Sequence, residues 1–394
     1  MTSKEKHKHH HKHIKLTRPD LGQFGRNELA ILGARCDNIR KLVRQVIERL
    51  APDFKTSYVD ASHKSDDTAQ NETAIDAGAE IDFLDNGSFI RTDYSRKRTS
   101  FELKAMFGDQ DLVLVNGNHF TAQRQIVVVD TEKSLEKKLD RLTDVRLILL
   151  KDKETGIPDY LRNHLDDLEH IPMLSFDDVE AITAFVKKYL EERIPPVKGL
   201  VLTGGQSVRM EKDKSSLVYH GKTQREYVYD MLQNYCSDVF ISCNHDQARE
   251  LDGQFPLIED TFVGLGPMSG ILSAFQLDPD AAWLTVACDL PYLSKSTLDY
   301  LIKNRNPSKA ATAFYDPKGE FPEPLITIWE PKSYPALLQF LSQGYTCPRK
   351  ALINSDTALL HAPDVKELQN VNNPEEYEAA LKELAVRRLE PSDR

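Results

Sequence analysis

A glycine pair followed by basic residues, within 199–217, has the composition of a site for a phosphorylated ligand. The segment reads GLVLTGGQSVRMEKDKSSL, in which an apolar run ends at Gly204 and Gly205 before Ser207, Arg209 and Lys214. An apolar run of this length bounded by glycines predicts a buried strand of an α/β sheet. Glycines let backbone N–H groups approach an anion, and the basic side chains add positive charge. We therefore predict a triphosphate-binding loop at the carboxyl edge of a sheet. The segment lacks the GxxxxGK[ST] pattern of a Walker A loop, and its residues alone leave open an ordinary turn with solvated basic side chains.

A second segment, 283–291, is an apolar strand that ends in a carboxylate. It reads WLTVACDLP, so the strand runs into Asp289 and Pro291 then ends the pairing. An acid at the carboxyl end of a strand faces the ligand crevice of an open α/β sheet, where it can bind Mg²⁺. The alternative is that Asp289 caps the following helix or turn.

Two weaker signals flank these segments. Gly264, Gly266, Pro267 and Gly270 precede a predicted helix at 271–275, an entry that suits backbone approach to a ligand, although a plain turn explains it better in isolation. The last helix begins with a capping signature at Asn373, Pro374 and Glu376. That signature gives no role to the two asparagines just before it, Asn370 and Asn372.

Length and composition predict two globular domains. The chain has 394 residues, more than one typical core accommodates, with 40% hydrophobic and 28% charged residues. The net charge of -10 argues against a broad nucleic-acid surface. No apolar run approaches the ~20 residues of a membrane span, and the N-terminus lacks the apolar core of a signal peptide. The five scattered cysteines form no CxxC pair, which predicts neither a zinc site nor a disulfide framework and favours the cytoplasm.

Residues 16–195 are predicted to form the first domain, after a His/Lys-rich tail at 1–15 that we expect to be disordered or weakly metal-binding. Strands alternate with helices, which predicts a doubly wound, mainly parallel sheet with helices on both faces. The predicted strands lie at 28–33, 55–59 and 111–115, with further apolar segments at 125–130, 146–150 and 171–174, and the predicted helices lie at 39–50 and 176–190.

The turn after the first strand stands where a P-loop would lie, but its residues are wrong for one. Asn38 replaces the second glycine, Ile39 the lysine and Arg40 the Mg²⁺-binding hydroxyl. We predict a P-loop-fold domain without a working nucleotide site. Residues 28–50 and the segments VDASHKSDD, DLVLVNGNHF and IPMLSFDDVEAITAFV resemble the molybdopterin-guanine dinucleotide biosynthesis adapter, a P-loop GTP-binding protein. Another flavodoxin-like or P-loop-like α/β domain remains the alternative.

Pro195 and Pro196 cannot continue a helix, so the second domain is predicted at 197–394. Its predicted strands lie at 200–202, 238–244 and 283–289, with a paired couple at 310–315 and 324–329 and a shorter apolar segment at 255–260. Its predicted helices lie at 223–233, 271–275 and 337–341. The GG-S-RM-DK loop, the Pro–Gly turn, CDLP and NVNNPEEY occur in this order. Together they resemble the molybdenum cofactor guanylyltransferases over about 197–384, which implies a doubly wound, Rossmann-like nucleotidyltransferase fold.

The resemblance also implies roles for individual residues. It implies that Asp289 binds Mg²⁺, that Lys214 contacts the phosphates of GTP and that Asp260 lies at the guanine base. It implies further nucleotide or acceptor contacts at Leu202, Thr203, Gly204, Gly205, Gly266, Gly270, Asn370 and Asn372. Thr203 stands in place of the usual alanine and Glu211 in place of the usual glycine, and an added carboxylate beside a triphosphate is unfavourable unless it faces away.

The implied reaction joins GMP from GTP to molybdopterin and releases pyrophosphate, with Lys214, Arg209 and Asp289 stabilising charge and no protein nucleophile. Alternatives are cytidylyl or sugar-phosphate transfer, or a non-catalytic scaffold that delivers molybdopterin. Expected partners are GTP, molybdopterin, molybdoenzyme apoproteins and other cofactor-biosynthesis proteins, without nucleic acid or membrane.

Overall fold

The computed structural model describes residues 16–61, 73–152, 156–204 and 214–387. Two compact units are present, Asp20–Ile194 and Pro195–Arg394. The predictions made for the tail at 1–15 and for Gly205, Ser207, Arg209 and Glu211 fall outside the described residues.

The first unit is built on a six-stranded sheet in which every pairing is parallel. Its strand order is β2-β5-β1-β6-β7-β8. The strands of this unit are β1 (Glu28–Leu32), β2 (Thr56–Val59), β3 (Ile81–Asp85), β4 (Ile90–Tyr94), β5 (Leu112–Asn116), β6 (Arg124–Val129), β7 (Val145–Leu150) and β8 (Met173–Ser175). The helices are α1 (Cys36–Leu50), α2 (Ser100–Phe107), α3 (Asp159–His164) and α4 (Val179–Glu191), with 3₁₀ turns at Glu136–Arg141 and Leu168–His170.

Alternate residues of β1 pack against helices on opposite faces of this sheet, as the doubly wound prediction requires. Leu29 and Ile31 belong to a core with residues of α1 and α4, whereas Ala30 packs with Phe24 and Phe107. Because both faces are covered, β1 is buried along its whole length. The predicted strands and both predicted helices of this unit are confirmed.

The β3–β4 hairpin and α2 were not predicted from the sequence. The hairpin is a separate two-stranded antiparallel sheet whose apolar residues are largely exposed, so it carries none of the periodicity of a buried strand. Helix α2 is only eight residues long and is defined mainly by a capping box between Thr99 and Glu102.

The second unit is built on a seven-stranded, mainly parallel sheet with the order β11-β10-β9-β12-β14-β13-β15. Only β14 runs antiparallel to its neighbours β12 and β13. The strands are β9 (Val197–Leu202), β10 (Val239–Cys243), β11 (Leu257–Glu259), β12 (Ala282–Ala287), β13 (Ala311–Tyr315), β14 (Pro322–Trp329) and β15 (Thr357–Leu360). The helices are α5 (Gln224–Leu232), α6 (His245–Leu251), α7 (Pro267–Leu277), α8 (Lys295–Lys303), α9 (Ser333–Ser342), α10 (Pro348–Ile353) and α11 (Pro374–Arg387), with 3₁₀ turns at Lys214–Ser216 and Val365–Leu368.

This second sheet is also covered on both faces. Val201 contributes to the core that contains residues of α5 and α8, and its neighbours Leu200 and Leu202 contribute to the core under α7. Trp283 and Trp329, the two tryptophans of the chain, are both buried in this second core. The unit is therefore α/β and doubly wound, as predicted.

Among the described residues, the helices are too short or too polar to cross a membrane.

Candidate functional site

The carboxyl ends of four neighbouring parallel strands meet at one edge of the second sheet. Leu202 at the end of β9 is in register with Ser242 of β10 on one side and Ala287 of β12 on the other. On the next strand, Glu259 of β11 is in register with Cys243. The residues that follow these strand ends therefore emerge side by side, which is where open α/β sheets bind ligands.

A cavity of about 590 Å³ opens at this edge. Polar and small residues from all four strand ends and from the start of α7 share its wall. The lining residues are Leu202, Thr203, Gly204, Lys214, Ser242, Cys243, Asn244, Gln247, Asp260, Gly264, Gly266, Pro267, Ser269, Gly270, Ala287, Cys288, Asp289, Leu325 and Asn372.

Lys214 and Asp289 face each other in this cavity. The distance between Lys214 Nζ and Asp289 Oδ2 is 4.0 Å, and the two side chains are only 18% and 17% exposed. Lys214 Nζ also donates a hydrogen bond of 2.8 Å to Asn372 Oδ1. An ammonium group and a carboxylate thus lie close together in the cavity without a tight ion pair between them, so both remain able to bind a ligand.

Asp289 has the properties of a cation ligand. Its Oδ1 atom is buried and has no hydrogen-bond partner among the described residues. Burial raises the pKa of this carboxyl, and the nearby Lys214 ammonium opposes the shift only in part. A buried carboxylate oxygen without a donor is unfavourable unless a ligand satisfies it. A divalent cation would do so.

The residues of the cavity suit Mg²⁺, which uses substrate phosphates and water as ligands, better than a metal ion that needs all its ligands from the protein. Within the described ranges, no group of three or more His, Cys, Asp or Glu side chains is arranged to hold a metal ion. Mg²⁺ is commonly held by one or two carboxylates together with substrate phosphates and water. Asp289 alone therefore suits a cation that enters with a phosphorylated substrate.

Asp260 also lines the cavity, where it follows β11, three positions from β12 in the strand order, and it is held by Ser242. Ser242 Oγ donates a hydrogen bond of 2.9 Å to Asp260 Oδ1, and Thr203 Oγ1 donates one of 2.7 Å to the Ser242 carbonyl oxygen. Burial raises the pKa of Asp260 from 3.8 to about 6; the Ser242 hydrogen bond acts in the opposite direction. Thr203, which stands where the resemblance implies an alanine, therefore uses its hydroxyl to bond the end of β10.

Glycines at three positions allow the cavity to form. Gly204 and Gly266 have φ angles of +76° and +59°, which residues with a Cβ rarely adopt. Gly266 immediately precedes Pro267, the first residue of α7. At Gly270 a Cβ would lie 2.3 Å from Ser242 Oγ, so glycine lets α7 pack against the end of β10.

The structure brings most of the predicted site residues together at this cavity. Those that line it are Leu202, Thr203, Gly204, Lys214, Asp260, Gly266, Gly270, Asp289 and Asn372. Asn370 does not line the cavity in the described part of the chain, and its buried Oδ1 has no hydrogen-bond partner there. Gly205 and Arg209 lie outside the described residues.

Sequence reasoning missed polar residues of β10, of the residue that follows it and of helix α6. Ser242, Asn244 and Gln247 all line the cavity. Asn244 directly follows β10, so the rule that identified Asp289 from the end of β12 applies to it equally. Its Oδ1 accepts hydrogen bonds from the backbone N–H groups of Asp246 and Gln247 at 3.0 and 2.9 Å, which caps α6.

The corresponding edge of the first unit has no P-loop. Residues 33–35 alone connect β1 to α1, so the helix begins at Cys36, where a P-loop would still surround a phosphate. Ile39, at the position of the P-loop lysine, is buried in the core, and Arg40 lies 3.4 Å from Asp60. Partial burial opposes ionisation of Asp60, but donors from Ala61, Tyr58 and Asn116 outweigh it and lower the pKa.

A model of the MobA-like NTP transferase domain matches residues 199–387. The chain is 36% identical over 183 residues to a molybdenum cofactor biosynthesis bifunctional protein of Synechocystis, a match that covers 46% of this chain and 53% of that protein. It is 33% identical over 147 residues to a molybdenum cofactor guanylyltransferase of Pasteurella multocida, covering 37% of this chain and 77% of the relative. The chain thus spans about half the length of the first of these relatives.

Solved structures also resemble the chain. Molybdopterin-guanine dinucleotide biosynthesis protein A from Archaeoglobus fulgidus matches with a TM-score of 0.42 and 20% identity, covering 48% of this chain and 99% of that one. Molybdopterin-guanine biosynthesis protein B matches with a TM-score of 0.29 and 14% identity, covering 42% of this chain and 99% of that one.

Replacing Gly270 is expected to disturb the packing of α7 against the strand ends that line the cavity. In Gly270→Ala the new Cβ would lie 2.3 Å from Ser242 Oγ and 2.9 Å from Leu202 Cδ2, so the free energy of unfolding should fall by about 1–3 kcal/mol. Urea titration followed by tryptophan fluorescence measures this for the second unit alone, since both tryptophans lie there. Leu277→Ala, at an exposed position of the same helix, is the control and should change stability far less. Equal unfolding midpoints for Gly270→Ala and wild type would show that the packing is not tight.

Proposed function

Because this chain belongs to the molybdenum cofactor guanylyltransferase family, we propose that its second unit transfers GMP from GTP to molybdopterin and releases pyrophosphate. The observation that carries the proposal is the meeting of Lys214 and Asp289 in one cavity, with Nζ and Oδ2 4.0 Å apart. A cation at Asp289 and the ammonium of Lys214 would then act on the same triphosphate. Asp260 follows β11, three positions from β12 in the strand order, and the base of that nucleotide would bind beside it.

Asp260 supports guanine as the base. Guanine presents the N1–H and the exocyclic amino group as adjacent donors on one edge, and an ionised carboxylate accepts from both. Adenine and cytosine lack this pair of donors. Ser242 keeps one carboxylate oxygen in place through its 2.9 Å hydrogen bond. The arrangement therefore favours GTP over ATP and CTP.

The proposed chemistry is a displacement at the α-phosphorus of GTP. A phosphate oxygen of molybdopterin attacks, the bond from the α-phosphorus to the oxygen that bridges it to the β-phosphorus breaks, and pyrophosphate leaves with the electron pair. Lys214, and Arg209 in the segment beyond the described residues, would neutralise charge on the leaving group. Backbone at Gly204 would approach the triphosphate, and Mg²⁺ bound at Asp289 would supply further charge neutralisation. The side chains thus act by positioning and electrostatics.

For the first unit we propose an adapter-like role without P-loop nucleotide binding. The short connection at 33–35 and the buried Ile39 support this, because neither leaves room for a loop around a phosphate or a lysine beside it. Molybdoenzyme apoproteins and other proteins of cofactor biosynthesis are its proposed partners.

One incubation tests the activity and the base preference together. The chain is mixed with molybdopterin, Mg²⁺ and equimolar GTP, CTP and ATP. Mass detection should find the guanine dinucleotide in excess over the other two. Formation of a cytosine dinucleotide as the main product would redirect the proposal to cytidylyl transfer. The absence of any dinucleotide would refute it.

Asp289→Asn should abolish most turnover while the protein still folds. Losing one preorganised electrostatic contact typically costs about 3–4 kcal/mol, so kcat should fall at least 10²–10³-fold. Because burial opposes ionisation of Asp289, the neutral amide is not expected to lower the urea midpoint of unfolding. Turnover near that of wild type by this variant is incompatible with Asp289 as the cation ligand.

The raised pKa of Asp260 predicts that GTP binds more weakly at acidic pH. Below its pKa of about 6 the carboxyl is protonated and cannot accept both guanine donors, so KM for GTP should rise about tenfold per pH unit below that value. Asp260→Asn is the control, which should bind GTP poorly at every pH without this inflection.

The raised pKa of Asp260 also predicts that the folded protein becomes more stable in acid, where GTP binding becomes weaker. The folded-state pKa lies above 3.8, so the folded state binds more protons and is favoured as the pH falls from about 6 towards 4. Asp260→Asn should therefore gain stability at pH 7.5 relative to wild type. If wild type and variant share one KM profile and one stability profile, the carboxylate has no such role.

A further inference from the structure

We propose that Glu376 is a positioning residue for the transfer reaction, acting through Asn372 to hold the ammonium group of Lys214. This inference rests on the proposed function, since it concerns the same cavity. It assigns a role to an exposed acid on α11 that does not itself line the cavity.

The first contact lies at the start of α11. Asn373 Oδ1 accepts a hydrogen bond of 2.8 Å from the N–H of Glu376, which is the ordinary capping interaction. In a capping box the glutamate would return a bond to the N–H of the capping residue itself. Here Glu376 Oε2 instead accepts from the N–H of Asn372 at 2.6 Å, one residue earlier. The carboxylate therefore anchors the backbone that carries the Asn372 side chain.

The second contact connects Asn372 to the cavity. Its Oδ1 accepts a hydrogen bond of 2.8 Å from Lys214 Nζ, across 158 residues of sequence. The preceding residue, Val371, donates its N–H to the carbonyl oxygen of Asp289 at 2.9 Å. Residues 371 and 372 are thus attached both to the proposed cation ligand and to the proposed phosphate ligand.

The chemistry explains why such an anchor matters. A lysine side chain has many rotamers and loses conformational entropy when it is fixed, so an unsupported ammonium samples many positions. A neutral amide oxygen holds the ammonium without cancelling its charge, whereas the Asp289 carboxylate remains 4.0 Å away. Asn372 is exposed, so packing alone does not hold its side chain in place. The bond from its backbone N–H to Glu376 fixes the point of the chain from which that side chain extends.

The test compares Glu376→Ala and Glu376→Gln with Glu375→Ala as a matched control. Glu375 is the neighbouring exposed acid in the first turn of α11, so its replacement removes the same charge from the same helix terminus. We expect Glu376→Ala to lower kcat about tenfold with a smaller change in KM for GTP. Glu376→Gln, which keeps a hydrogen-bond acceptor, should recover most of the loss, and Glu375→Ala should stay within twofold of wild type.

A double-mutant cycle separates positioning from simple stabilisation of α11. If Glu376 acts through Asn372, then adding Glu376→Ala to Asn372→Ala should lower kcat no further, although the losses of thermal stability still accumulate. Equal kcat losses from Glu376→Ala in both backgrounds, or no loss in wild type, would overturn the inference.

A readout that needs no turnover keeps this test distinct from that of the proposed function. Peptide-resolved labelling with an amine-acylating reagent should modify Lys214 several-fold faster in Glu376→Ala and in Asn372→Ala than in wild type or Glu375→Ala. Unchanged labelling would overturn the positioning role even if wild type makes the dinucleotide. Faster labelling without dinucleotide formation by wild type would keep the anchor and reject the proposed function.

Discussion

Parallel pairing of β9 with β10 and β12 is the constraint on which the site depends. Leu202 stands in register with both Ser242 and Ala287, so the chain leaves the sheet at three adjacent points of one edge. Asp260 and Asp289 each follow a strand end at this edge, and Gly204 after β9 lets the backbone turn away. A slip of one residue in either pairing would turn each side chain of that strand to the other face of the sheet. The two cores that sandwich β9 make such a slip costly.

The two carboxylates of the cavity are held in environments that are unfavourable to their charge. Burial raises the pKa of Asp289 and of Asp260, and neither carboxylate is fully compensated by a neighbouring donor or cation. Such groups reduce the stability of the empty protein, and a ligand that supplies a cation or an N–H donor removes the penalty. The protein is therefore expected to be more stable with a ligand in the cavity than without one, as is common for binding sites.

The sequence predicted those parts of the fold and site that local pattern determines. Strand ends are marked by the change from apolar residues to Gly204 or Asp289, and the doubly wound sheets follow from strands that alternate with helices. The contact between Lys214 and Asn372 could not be predicted, because it joins residues 158 positions apart through side-chain geometry that no local pattern encodes. The β3–β4 hairpin was missed because its apolar residues are exposed and lack a one-sided pattern. Asn244 was missed because it was placed inside the predicted strand 238–244, whereas β10 ends at Cys243.

A crystal structure would show directly whether Lys214 and Asp289 bind the same GTP. The full chain is crystallised with Mg²⁺ and a GTP analogue that cannot be cleaved at the α–β bridge. We expect one nucleotide whose phosphate oxygens lie about 3 Å from Lys214 Nζ, with Mg²⁺ about 2.1 Å from Asp289 Oδ1. Its base should contact Asp260. A nucleotide that reaches only Lys214 or only Asp289, or that binds elsewhere while Lys214 keeps its bond to Asn372, would contradict the claim that these two residues share one substrate.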